Sequence, residues 1–350
     1  MTLATQPEKV APCFGCAGKL DKAHLATVLK RLPIVQDARL VMGCSSFEDA
    51  SVFQIEPSLG LVSSVDVMDP IEPDYYRFGR VAAANALSDI YAVGGRPLVV
   101  LNIASTPASD EAMEHLYQAL KGAQEIVLQA GAVGGGGHTT VSQAFKFGLA
   151  VSGRVDPGKV VTNAGARPGD RLILTKPLGA MSILSSLLPE QPDHPLVDRA
   201  FAVMEQLNRA ASEVMVDVGV HACTDVTGFG FLGHLSQMME VSGACAHIGS
   251  SQLPLLPGAL EHALVESKAR VNNRRSFEDH VALAGYVPPA LLEAMYEAST
   301  SGGLLIAVDA HQEALLLERL EQRGVDAACV GEVGPLQAGA RVVVYPWGEL

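Results

Sequence analysis

The chain has 350 residues, 48% of them hydrophobic and 18% charged, and 38 acidic side chains against 25 basic ones give a net charge of −13. That length allows two domains with a core each. The acidity repels phosphodiester backbones and anionic membranes, and aromatic residues at 5% leave few stacking platforms for single strands, so neither nucleic acid nor membrane is expected as a partner. A phosphate ligand remains open to an acidic protein when a divalent cation neutralises both parties. Cys13, Cys16, Cys44, Cys223, Cys245 and Cys329 are mostly scattered through apolar sequence. There is no signal-like N-terminal segment and no apolar run of about twenty residues, so a cytoplasmic protein with free thiols is expected.

In chain order, residues 1–20 carry little periodicity and read as a mobile arm containing CFGCAGKL (13–20). LDKAHLATVLKRL (20–32) has the three- and four-residue apolar spacing of a helix. GLVSSVDVMD (60–69) reads as a strand ending in acid, and RFGRVAAANALSDIYAVGG (77–95) as an Ala-rich helix stopped by Gly94-Gly95. A strand at 96–105 and a helix at 111–131 follow. A glycine-rich turn at 131–140 then leads into a strand at 145–155. DPGKVVTNAGARPGD (156–170) reads as a domain boundary. Beyond it come the strand RLILTKP, helices near 195–217, a strand ending at ACTDVTG, a helix at 230–243, a strand at 301–309 and a helix at 311–324. Both halves alternate strand and helix, which fits α/β or α+β without choosing between them.

The carboxylates are the unusual feature. Asp89 lies in an otherwise apolar helix near its C-terminal end, where the helix dipole disfavours negative charge by a few tenths to about 1 kcal/mol. No Lys or Arg stands three or four residues away, and Asn85 shares its face. Asp89 therefore either faces solvent, pairs with Arg80 or Arg96 in the fold, or holds a cation. Asp66 ends a strand, Asp225 follows GVHACT, and Glu48-Asp49 open an apolar run. Oxygen donors of this kind suit Mg2+, which keeps waters and shares itself with substrate phosphates. Each acid taken alone is better explained as a cap or a surface group; it is the set that suggests a metal.

Gly134 to Gly137 with His138, Thr139 and Thr140 form either a loop whose backbone N–H groups approach an anion or a plain turn. Two nucleotide signatures fail: Gly18-Lys19 is followed by Leu20 rather than Ser or Thr, and no G-x-G-x-x-G occurs at 134–139. Cys13 and Cys16 make one C-x-x-C without a second pair, against a four-thiolate zinc site. Lys19 could lower the Cys16 pKa and touch phosphate oxygens. A solvent-exposed thiol without a role, or a thiol- or metal-binding protein with no enzymatic activity, is the competing account.

Taken together and in order, seven segments resemble the selenophosphate synthetase (selenide, water dikinase) family. They are GCAGK (15–19), EDASV (48–52), SVD (64–66), GRVAAANALSDIYAVGG (79–95), GGHT (136–139), TDVTGFGFLGH (224–234) and TSGGLL (300–305). The resemblance implies synthesis of selenophosphate, AMP and phosphate from ATP, selenide and water, serving selenocysteine and selenouridine formation. It implies Cys16 and Lys19 as catalytic residues. It places Asp49, Asp89 and Asp225 on Mg2+, with K+ as a candidate monovalent ion. Lys19, Ser46, Phe47, Glu48, Asp66, Asp89, Gly137, His138 and Thr139 would lie against ATP. The implied fold is the two-domain aminoimidazole-ribotide-synthetase-like α/β (α+β) architecture. There, residues 1–45 form the catalytic arm and first helix, 46–156 an ATP-binding domain whose sheet forms a homodimer, and 157–350 a C-terminal α/β sandwich. Three departures bear on substrate preference: Glu48 replaces the first of two aspartates, Gly18 stands where a second Cys or Sec is often found, and Val65 replaces Thr before Asp66.

Overall fold

The computed structural model describes residues 28, 31, 37–43, 48–71, 73–265, 267–337 and 339–346. The expected arm at 1–20, with Cys13, Cys16 and Lys19, lies outside them, as do Ser46, Phe47 and nearly all of the helix expected at 20–32. The first part of the chain runs β1 (Leu40–Met42), β2 (Ser51–Glu56), β3 (Leu59–Met68), α1 (Tyr75–Ala92), β4 (Arg96–Thr106), α2 (Asp110–Gln129), β5 (Val133–Val141) and β6 (Lys146–Val155). Its strands make one six-stranded sheet in the order β1-β2-β3-β6-β4-β5, antiparallel except for the parallel pair β4–β5.

The second part starts with β7 (Arg171–Leu174), α3 (Ala180–Leu187), α4 (Pro195–Met204), α5 (Arg209–Val218), β8 (Ala222–Asp225), α6 (Gly230–Ser242) and β9 (Ala244–Gly249). It continues with α7 (Ala259–His262), α8 (Lys268–Phe277), β10 (Val281–Leu283), α9 (Pro289–Tyr296), β11 (Leu304–Val308), α10 (Glu313–Gln322), β12 (Ala328–Pro335) and β13 (Val342–Tyr345). These strands form a mixed seven-stranded sheet, β10-β13-β9-β12-β7-β11-β8, with helices packed against it. Among the described residues no helix is long and apolar enough to cross a membrane.

α1 is the central element. Asp74 caps its start by accepting from the Arg77 N–H, and Gly94 and Gly95 close its end by donating to the Tyr91 and Ile90 carbonyls. Fourteen of its eighteen residues are buried, so it is enclosed on nearly all sides, as its alanine run allows. The sheet lies along one flank, α2 along another, and α4, α5 and β8 of the second part along the rest. One apolar core therefore crosses the joint: Phe78, Val81 and Leu87 of α1 belong to the same cluster as Met181, Leu184, Phe201 and Met204. Arg77 and Arg80 add ion pairs to Glu205 at 2.8 and 2.9 Å.

The glycine stretch departs from expectation. Instead of a turn, residues 133–141 form the edge strand β5, paired in parallel with β4. A Cβ on Gly137 would sit 2.1 Å from the Asn102 carbonyl oxygen and one on Gly135 2.9 Å from Val99 Cγ2, so glycine is what lets this strand approach its neighbour. Gly136, at φ 113°, takes a backbone conformation that side chains disfavour.

α1 and α2 cross on a reciprocal pair of glycines. A Cβ on Gly79 would lie 2.0 Å from the Ala119 carbonyl oxygen, and one on Gly122 2.0 Å from the Tyr76 carbonyl oxygen. Gly122→Ala must push the helices apart, with an expected loss of about 1–3 kcal/mol of stability in urea unfolding. An unchanged midpoint would mean that the crossing has slack.

Candidate active site at the domain joint

Four of the acids singled out in the sequence come together at the joint, two of them, Asp49 and Asp89, linked through the Ser64 hydroxyl. Ser64 and Asp66 alternate onto the same face of β3, the face that meets α1. Ser64 Oγ donates to Asp89 Oδ2 of α1 and reaches the Asp49 carbonyl oxygen at 3.5 Å. From the second part, Thr224 Oγ1 at the end of β8 donates to Asp49 Oδ1 at 3.0 Å, and the next residue is Asp225, 1% exposed. Asp49 is thus one hydroxyl from Asp89 on one side, and on the other one hydroxyl from the residue preceding Asp225. Glu48 takes the Asn163 N–H at 3.0 Å, tying the start of this segment to the connection between the two sheets.

Asn85 does both things its side chain permits. Its amide NH2 donates to Asp66 Oδ2 at 2.5 Å, and its Oδ1 accepts from the Ser301 N–H at 2.8 Å. Ser88, on the same helix, takes a hydrogen bond from Asn208 Nδ2 at 2.9 Å, and that amide also reaches the Gly302 carbonyl oxygen at 2.9 Å. For Asp89 the fold provides a hydroxyl partner, Ser64, that none of the alternatives named, while Arg80 pairs with Glu125 and Glu205.

The donor set contains only oxygen, which suits Mg2+ rather than a soft metal. Among the described residues no three His, Cys, Asp or Glu side chains converge closely enough to hold an ion by themselves. An ion that keeps waters and takes phosphate oxygens as further ligands is compatible with such spacing, so the residues fit Mg2+ carried in with a phosphate ligand.

The field of this cluster reaches its neighbours. Burial, and then the charges of Asp49 and Asp225, push the Cys223 thiol well above its ordinary range, so it remains a protonated core thiol. Lys176, 3% exposed, stands just beyond β7; burial lowers its amine to about 7, against an opposing pull from Asp225. Its Nζ donates to the Gln206 and Ser301 carbonyl oxygens at 2.7 and 2.8 Å.

Gly137, His138 and Thr139 stand apart from the cluster. Asp66, Leu149, Asn102 and Gly137 occupy one row across β3, β6, β4 and β5, so Gly137 lies three strand spacings, roughly 14 Å, from Asp66. All three residues are exposed at the sheet edge. Sequence reasoning assigned no role to Ser64, Lys176, Asn163, Asn208 or Ser301. A lysine two residues past the apolar strand RLIL, and a serine two residues before Asp66, are the signals that could have marked Lys176 and Ser64.

Because the Lys176 amine is depressed in the folded state, the unfolded chain binds more protons between about pH 7 and the ordinary lysine value of 10.5. This residue's contribution to stability therefore rises with pH across that window and is flat below it. The stability difference between the wild-type chain and Lys176→Met should shift in favour of the wild type from pH 7 to 10 in urea unfolding. A difference independent of pH would contradict the depressed amine.

Two family models cover most of the chain: AIR synthase related protein, N-terminal domain, matches residues 47–155, and AIR synthase related protein, C-terminal domain, residues 167–344. A selenide, water dikinase of Desulfitobacterium hafniense is 41% identical over 327 residues, 92% of this chain and 95% of that protein. The enzyme of the same description from Myxococcus xanthus is 40% identical over 340 residues, 96% of each. Among solved structures, a thiamine-monophosphate kinase from Stenotrophomonas maltophilia aligns with a TM-score of 0.64 at 20% identity, covering 91% of this chain and 93% of that one. Hydrogenase maturation protein HypE in complex with ATP aligns at 0.62 and 19%, covering 89% and 87%. The two family models give the domains as AIR-synthase-type, and these two likenesses agree with that fold. The relatives at about 40% identity, matched along nearly their whole length, place the chain within that fold: it belongs to the selenide, water dikinase family.

Proposed function

We propose that the chain makes selenophosphate from ATP, selenide and water, releasing AMP and phosphate, and that the chemistry takes place at the joint carrying Asp49, Asp66, Asp89 and Asp225. The observation that supports this most is the gathering of Asp49, Asp66 and Asp89, each held by a hydrogen bond, beside Thr224-Asp225 of β8, in a chain about 40% identical to selenide, water dikinases over nearly its full length. Two phosphoryl groups leave one adenylate in this reaction, one ending on selenium and the other on the oxygen of water. Negative charge accumulates on several phosphate oxygens, and catalysis of such transfers rests on positioning and charge compensation. Asp49, Asp89 and Asp225 would hold Mg2+, which neutralises phosphate oxygens when bound.

The chain's own contribution is orientation. Ser64 and Thr224 donate to Asp89 and Asp49, and Asn85 donates to Asp66, so the carboxylates are aimed before any ligand arrives. Asp66 is assigned to the nucleotide, together with Ser46, Phe47 and Glu48. Cys16 is assigned to presenting selenium and Lys19 to countering phosphate charge; both assignments rest on the resemblance of GCAGK to the family's motif. Sharing of the fold with thiamine-monophosphate kinase favours no second reading, because at 20% identity it speaks to architecture alone.

We further assign the open face of the first sheet to a second copy of the chain. Helices α1 and α2 pack on one face only, and the other exposes Leu61, Val65 and Val67 of β3 and Leu101 of β4. An apolar stripe of this kind is what a homodimer buries. Gly137 to Thr139 lie on the edge of the same sheet, and we assign them to the nucleotide within that dimer.

Incubating the chain with ATP, Mg2+ and selenide should give AMP together with a phosphorus–selenium signal in phosphorus NMR, and Cys16→Ser should reduce selenide-dependent AMP formation to background. Formation of ADP alone would count decisively against the reading. Replacing Val65, 58% exposed, by Glu should convert a dimer to monomers in sedimentation velocity; a variant with the wild-type association state removes the sheet face from the interface.

A further inference from the structure

The Lys176 amino group is buried among oxygens that belong to no carboxylate within ion-pair reach. Its two short contacts go to main-chain carbonyls: Gln206 in the segment before α5, and Ser301 in the loop entering β11. An amine has hydrogens for both in either protonation state. Ser301 is the one non-glycine residue with a positive φ, 54°, among the described residues. A serine there is strained by roughly 1 kcal/mol or more, so its surroundings must hold it.

The neighbours show how. A Cβ on Gly302 would lie 2.1 Å from the Val226 carbonyl oxygen, and one on Gly303 2.4 Å from the Lys176 backbone nitrogen, so the loop is pressed against β7 and the turn after β8. The Ser301 carbonyl, pinned by Lys176, leaves the N–H of the same residue aimed across the joint at Asn85 Oδ1, 2.8 Å away. An amide whose oxygen is held has its NH2 directed the other way, and Asn85 Nδ2 donates to Asp66 Oδ2. Four groups thus form one path: Lys176 Nζ, Ser301 backbone, Asn85 amide, Asp66 carboxylate. The first two belong to the second part of the chain and the last two to the first.

We propose that Lys176 is a positioning residue for the reaction: through Ser301 and Asn85 it fixes the orientation of the Asp66 carboxylate on the opposite side of the domain joint. This rests on the assignment of Asp66 to the nucleotide made above. Without the amine, the Ser301 loop loses what holds its strained conformation, Asn85 is released to rotate, and Asp66 samples orientations that do not meet the ligand. Lys176 itself touches neither substrate nor ion.

The test compares the wild type with Lys176→Met, Asn85→Ala and the double variant, following selenide-dependent AMP formation over a range of ATP concentrations. Each single variant should raise KM for ATP roughly tenfold or more and leave KM for selenide unchanged. The double variant should be no worse than Asn85→Ala alone, since both lie on one path. A Lys176→Met protein with wild-type KM for ATP, or additive effects in the double variant, overturns the inference and leaves Lys176 a structural strut. If Lys176→Met does not fold, Asn85→Asp decides, because it keeps the acceptor for Ser301 and loses the NH2 aimed at Asp66. A wild-type KM for ATP in that isosteric variant overturns the path, and a tenfold rise supports it. A wild-type chain that makes no AMP from selenide would instead sink the proposed function itself, so the two failures are distinct.

Discussion

The structure depends on the enclosure of α1. A helix buried on nearly all sides cannot leave a polar side chain without a partner, because each unanswered group would cost on the order of 1–3 kcal/mol, and more if charged. Asn85, Ser88 and Asp89 lie within that helix, and each has its answer on a different element. Ser64 comes from β3, Asn208 from the start of α5, and the Ser301 N–H from the loop before β11. The same requirement that permits the helix to be buried therefore draws both halves of the chain to one place. The apolar core shared by Phe78, Leu87, Leu184 and Phe201 holds the approach fixed, and the hydrogen bonds set its registry.

The electrostatic consequence is a concentration of negative charge in a chain that already carries an excess of it. Cys223 registers that field as a thiol held far from ionisation, and Lys176 as an amine whose depression by burial is partly opposed by Asp225. Such a cluster has little use as a structural device, since like charges near one another weaken a fold. On the function proposed above, its value would lie in meeting an ion-bearing phosphate ligand, where the charges become favourable. The hydroxyl donors are well chosen for this. Ser64 and Thr224 orient carboxylates without neutralising them, which an arginine at the same positions would do.

Much of the site was legible in local sequence. An aspartate inside an apolar helix without a nearby cation, an asparagine one turn before it, and acids at strand ends all marked groups in need of partners. Resemblance of seven ordered motifs then gave the family, because their order along the chain is a stronger constraint than any one of them. The glycine run misled: local composition suggests a turn, while its real function in the fold is to let an edge strand close on a neighbour whose carbonyl lies where a Cβ would be. Nothing in VGGGGHTTV distinguishes the two uses, since both call for a missing side chain.

What the sequence determined by itself was the kind of protein: alternating strands and helices, an acidic surface, and polar residues set into apolar periodicity where burial would demand an answer. Those are properties of neighbours along the chain, fixed by spacing and side-chain chemistry. Which partner answers each polar group was decided only in three dimensions. Asn85 and Ser301 are 216 positions apart and Asp49 and Thr224 are 175 apart, and a hydrogen bond depends on a few tenths of an ångström that no spacing rule carries. Lys176 makes the distinction plain: in sequence it is a lysine after a strand, and only the folded second part makes it a buried amine gripping the Ser301 loop, whose N–H meets Asn85 across the joint.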